Sequence, residues 1–222
     1  LDWAARGPAW RGLGARGLVI RGLSMRGPLR ERLAPLREGE DGLDLLAWTP
    51  GLSREALRGL RGLGFSHVFS SLAWWDFRSA WFMDEWHALA DTGCAVLAFP
   101  SDPYGAGAAG VGVPDAEVRR RASIRALWAA ATCGAGWLVA MGYERHGLDG
   151  APHDQLDLSA DLLAANRWLA RAPADDVALS PLAGADAPVA MMLRRAVGPR
   201  GRRSHLLLFN PDLLAAAAVD WP

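Results

Sequence analysis

The sequence contains no lysine: all 24 basic side chains are arginine, and 24 acidic ones balance them. A chain without net charge projects no field that would gather nucleic acid or an anionic membrane, so any partner is recognised locally. The arginine-only usage, with Ala, Gly and Leu dominant, reads as GC-rich coding rather than as function. Cysteine is nearly missing as well. Cys94 and Cys133 are too few for a disulfide scaffold and lack metal-ligand spacing, so two reduced core thiols of a cytoplasmic protein are expected and no metal is assigned. No run approaches ~18 uninterrupted apolar residues, which excludes a spanning helix, and no basic head followed by an apolar segment and a cleavage site opens the chain. There is no initiating methionine either: the first residue is Leu1, as expected of a processed chain or a piece of a longer polypeptide.

What is present is a globular composition, 51% hydrophobic over 222 residues, with room for one large domain or one and a half small ones. Residues 6 to 27 carry an arginine-glycine repeat in which Arg6, Arg11, Arg16, Arg21 and Arg26 each precede a glycine. A period of five matches neither the alternation of a strand nor the 3.6 of a helix, so these arginines line no single face. An RNA-binding arginine-glycine arm would be polar and disordered. Here the repeat is interleaved with Trp10, Leu13, Leu18, Val19 and Ile20, and it reads as composition within a folded segment.

Short apolar runs alternate with amphipathic stretches, the pattern of strands and helices around a parallel sheet. Strands are expected at 17–24, 44–51, 65–72, 94–100 and 136–144. Helices are expected at 28–38, from a Ser53 cap to Leu63, over FMDEWHALADTG closed by Gly93, from Asp115 through Cys133, and over LSADLLAANRWLARA. Between the fourth strand and its helix, Pro103, the glycines from Gly105 to Gly112 and Pro114 form a long loop at a carboxyl strand end, where α/β enzymes place their sites. After residue 176 the alternation ceases, and APVAMMLRRAVG and SHLLLFNPD read as an antiparallel hairpin.

The stretches GFSHVFSSLAWWDFRSAW, VLAFPSDPYG and RASIRALWAAATCGAGWLVAMGYERHG resemble, in that order, the later half of the barrel of the α-amylase superfamily, nearest its α-1,4-glucan:maltose-1-phosphate maltosyltransferase branch. The resemblance covers residues 15 to 170. It implies an α/β fold: residues 1–176 as the last five units of a (β/α)8 TIM barrel, and 177–222 as the start of an antiparallel β-sandwich. The missing units would precede residue 1, and the incomplete barrel would leave an open parallel edge for an upstream domain or a second copy. The resemblance also implies a bacterial, cytoplasmic enzyme of glycogen metabolism, without cofactor, whose partners are α-glucan or maltooligosaccharide and a sugar phosphate.

Retaining chemistry on such sugars needs one carboxylate as nucleophile and one as proton donor, on either side of the glycosidic bond. Laid on GLVIRGL, the family's Gly-x-Arg-x-Asp pattern puts Val19 at the arginine and Arg21 at the nucleophile. On LLAWTPG, the donor glutamate falls at Trp48. Arginine cannot attack a sugar and indole has no proton to give, so the resemblance implies substituted catalytic positions. Only Asp44 lies within four residues of Trp48. The third acid of the family would survive as Asp102 in FPSDP. Substrate-binding candidates are Trp74, Trp75, Asp76 and Arg78, since aromatic faces stack on sugar rings and an Asp beside an Arg forks hydroxyls or phosphate; the same tryptophans would also plug the top of a barrel. Tyr143 and Glu144, expected to end the last strand, are the remaining two. Two functions stay open: a glucan-active protein, active or reduced to oligosaccharide binding, and a non-catalytic module that acts through protein contacts.

Overall fold

A computed structural model describes residues 3–23, 28–37, 42–71, 77–78, 80–100, 116–147, 156–184, 186–213 and 215–217. Its contacts divide the chain into two units, residues 1–70 with 87–96, and residues 71–86 with 97–222.

The first unit opens with helix α1 (Trp3–Gly12), which the sequence reading did not assign because Pro8 and two glycines interrupt it. Then follow β1 (Gly17–Ile20), α2 (Leu29–Arg37), β2 (Asp44–Trp48), α3 (Arg54–Gly59) and β3 (His67–Ser71). Leu43, Leu45 and Ala47 are buried, while Leu33, Leu36, Leu57 and Leu60 of the helices and their flanks are shut away from water. At roughly 1.5–3 kcal/mol for each large apolar side chain buried, this packing is what holds the strands parallel, since parallel sheets need cover on their faces. Ser53 caps α3 as expected, its Oγ accepting from the Ala56 N–H at 3.2 Å. Helix α4 (Ala80–Ala90) is closed at Gly93, whose φ of +74° suits a residue without Cβ, and β4 (Ala95–Phe99) follows.

In the second unit come α5 (Ala116–Cys133), β5 (Gly136–Trp137), α6 (Tyr143–His146), α7 (Ser159–Arg171), β6 (Asp176–Pro181), β7 (Ala190–Gly198) and β8 (Gly201–Phe209). The small residues of α5 let α7 approach, and Leu127, Ala131, Tyr143, Leu156, Leu158 and Ala165 form one buried cluster. Strands β1 to β5 are ordered as in the sequence, and β6 to β8 form a separate antiparallel sheet in the order β6-β7-β8. A parallel sheet whose strands alternate with helices, followed by an antiparallel one, is the coarse architecture expected of a partial barrel with a β domain.

Two expectations need correction. The fifth strand is two residues long rather than reaching residue 144: the chain leaves the sheet after Trp137, and Gly142 at φ +83° turns it into α6. The antiparallel region holds three strands and not two, because Asp176–Pro181 pairs with β7 from Asp176↔Val197 to Pro181↔Met192. The hairpin itself lies where expected. Ala190↔Phe209 through Gly198↔Gly201 are in register, and Pro199 and Arg200 make the connection, with Gly201 at φ +84° after it. Val177, Leu179, Met192, Arg194, Ala196, Leu207 and Phe209 face inward. Phe77 stacks on Phe209 at 4.3 Å and meets Phe82 edge-on at 4.8 Å, fixing that end of the sheet.

Candidate functional site at the carboxyl strand ends

Parallel register alone brings Arg21 and Trp48 together. Ile20 is the partner of Ala47, so the next residue of β1's exit lies beside the last residue of β2. The Arg21 guanidinium sits 4.5 Å from the centroid of the Trp48 ring, a cation-π geometry. Trp48 in turn is the register partner of Phe69, and their rings are 5.8 Å apart at 39°. Behind this row the Thr49 hydroxyl donates to the Phe69 carbonyl, tying the end of β2 to β3. Neither position carries a carboxylate. Asp44 stands at the opposite, amino end of β2, about 13 Å from Trp48 at ~3.3 Å per residue.

Trp74, Trp75, Asp76 and Asp102 lie outside the described residues. Arg78 is half-buried and its Nη1 donates to the Ala187 carbonyl at 3.5 Å. Tyr143 is buried, and its hydroxyl donates to the Ser123 carbonyl at 2.9 Å. Glu144 is half-buried, with its backbone carbonyl accepting from the Leu158 N–H at 2.9 Å. The expected placement of Tyr143 and Glu144 at a strand end therefore does not hold, since both belong to α6. Sequence reasoning named Arg21 and Trp48 as substitutions but missed that they touch; counting residues from the two strand starts would have found it.

The cysteines are free thiols. Cys133 is buried, and desolvation pushes its thiol up to about 12. Cys94 is raised too, again by burial first, with its Sγ donating to the Phe65 carbonyl at 3.2 Å. Among the described residues no three His, Cys, Asp or Glu side chains come together as a metal site would require. Among the same residues no helix is long and apolar enough to cross a membrane. A cavity of about 510 Å³ opens in the second unit between α5 and the end of β8, lined by Ile124, Trp128, Phe209 and Leu213. Its two arginines are engaged with backbone, Arg121 on the Leu213 carbonyl at 3.0 Å and Arg125 on the Pro211 carbonyl at 2.8 Å.

Together these elements define an α/β protein with an appended antiparallel sheet. Over 209 aligned residues, 84% of this chain, it is 38% identical to the α-1,4-glucan:maltose-1-phosphate maltosyltransferase of Burkholderia pseudomallei (strain K96243). The chain spans 18% of the length of that relative. No family model matches the chain.

Proposed function

We propose that this chain is an α-glucan-binding module of the maltosyltransferase type whose catalytic positions are substituted. The observation that carries the glucan half of the reading is the 38% identity to a protein named for transfer from maltose 1-phosphate to α-1,4-glucan. The row Arg21, Trp48, Phe69 carries the other half. Where a retaining enzyme keeps its two acids about 5–5.5 Å apart, this chain has a cation lying on an indole. Such a surface stacks on the apolar face of a sugar ring, and its guanidinium meets a hydroxyl or a phosphate, yet it can neither form a glycosyl-enzyme bond nor protonate a leaving oxygen. In this reading Trp74, Trp75, Asp76, Arg78, Glu144 and Asp102 contribute further contacts to maltooligosaccharide or sugar phosphate.

Phosphate release from maltose 1-phosphate, with glycogen as acceptor, tests the catalytic half. The expected result is release no faster than the uncatalysed control. Release at an ordinary enzymatic rate of at least ~1 per second would overturn it.

A second reading has its own support. On the outward face of the antiparallel sheet, Leu206 and Leu208 are 41% and 50% exposed, and Val19 on strand β1 is 44% exposed. Apolar surface on sheet faces and edges suits a protein partner, either an upstream domain or a second copy. Under this reading the isolated chain self-associates and binds no sugar.

A further inference from the structure

Arg194 is 1% exposed, on the inward face of β7 between Met192 and Ala196. Arginine stays protonated in proteins, so this is a full buried charge. Its Nη1 donates to Nδ1 of His205, the residue directly opposite on β8, at 3.4 Å. Its guanidinium carbon lies 5.1 Å from the ring centroid of Trp168 on α7, and Trp168 meets the His205 ring edge-on at 5.7 Å. Among the described residues, Nε and Nη2, the side-on fork that ordinarily clasps a carboxylate, have no hydrogen-bond partner.

The charged and titratable groups around this cluster are few. From β8, Arg203 adds a further positive charge beside His205, while its own Nη1 donates to the Arg171 carbonyl of α7 at 3.2 Å. From the end of α5, Cys133 faces Arg194, and its thiol is neutral at ordinary pH. Among the described residues, no carboxylate acts on either Arg194 or His205.

We propose that Arg194, His205 and Trp168 form an acid-sensitive latch, which holds the antiparallel sheet on α7 while His205 is neutral and loosens when His205 takes up a proton. Arginine has only donors, so Nδ1 of His205 must offer its lone pair and the ring's one proton must sit on Nε2. A second proton can go only to Nδ1. It removes the acceptor, leaves the guanidinium, among the described residues, with no partner but the indole face, and sets a second cation against the buried one.

Burial first, then the Arg194 and Arg203 charges, holds the His205 imidazolium below its ordinary 6.5. An unfolded chain then binds that proton more readily than the folded one, so the stability is fully present above ~6.5 and is lost as pH falls through the folded value.

Thermal unfolding of the whole chain between pH 7.5 and 5.0 tests this in wild type, His205→Gln and Arg194→Met. Glutamine keeps an acceptor and cannot titrate; methionine removes the cation. The wild-type midpoint is expected to fall by at least ~3 °C more than that of His205→Gln across this range. Backbone amides of β7 and β8 are expected to exchange at least tenfold faster at pH 5.5 than at 7.5 in wild type, after correction for the intrinsic rate, and not in His205→Gln. Arg194→Met is expected to lose the same excess. Equal pH dependence of midpoint and exchange in wild type and His205→Gln would overturn the latch, whether or not Arg194→Met folds.

Discussion

At the residue scale, each side chain singled out is explained by what surrounds it. Arg21 is exposed and rests on the half-buried Trp48 ring, so Arg21→Ala should cost only about 0.5–1 kcal/mol of stability in urea unfolding, the ordinary worth of a cation-π contact near water. Tyr143→Phe should cost about 0.5–1.5 kcal/mol, because it removes the hydroxyl's hydrogen bond to the Ser123 carbonyl, and it should leave sugar binding unchanged. Cys133 should resist a disulfide reagent at pH 8 in the folded chain and react within seconds in guanidinium, since only unfolding frees the thiol from burial. Reaction of Cys133 in the native chain at the unfolded rate would contradict the packing of α5. The contact between Arg21 and Trp48 was overlooked in the sequence, although each stands four residues after the start of one of two neighbouring parallel strands that pair from Gly17↔Asp44. Arg194 could have been found: in MMLRRAV the alternation places it with Met192 and Ala196, on the apolar side.

At the scale of elements, strong hydrophobic runs were readable and weak ones were not. Strands β2, β3 and β4 and helices α2, α3 and α5 lie within the stretches expected, since each combines an apolar pattern with a cap, a proline or a glycine at its end. Helix α1 was missed because its Arg-Gly-Pro composition favours no regular element, and the leucines of its partner α2 decide it. Strand β5 was overextended because GWLVAM runs on without a polar residue, and only the turn at Gly142 shows where pairing stops. Two substitutions test the elements themselves. Ser53→Ala removes the α3 cap and should cost about 1 kcal/mol. Phe77→Ala should cost about 3–5 kcal/mol, since it empties the place between Phe82 and Phe209, and the loss should appear as faster amide exchange in β8.

At the scale of the molecule, the proposed function is that of strand ends that hold a sugar without cleaving it. The architecture was legible because the switch from strand-helix alternation to a helix-free hairpin is written in the pattern of apolar residues. The relation to a maltosyltransferase was legible from ordered motifs, although each motif is individually weak. The most direct measurement is isothermal titration of the folded chain with maltooligosaccharide and with maltose 1-phosphate, repeated on Trp48→Ala, Trp74→Ala and Asp102→Ala. The account predicts binding in the micromolar to millimolar range, worth roughly 4–8 kcal/mol, that is weakened at least tenfold in Trp48→Ala. No heat with either ligand, from protein shown by circular dichroism to be folded, would contradict it and leave the protein-contact reading in its place.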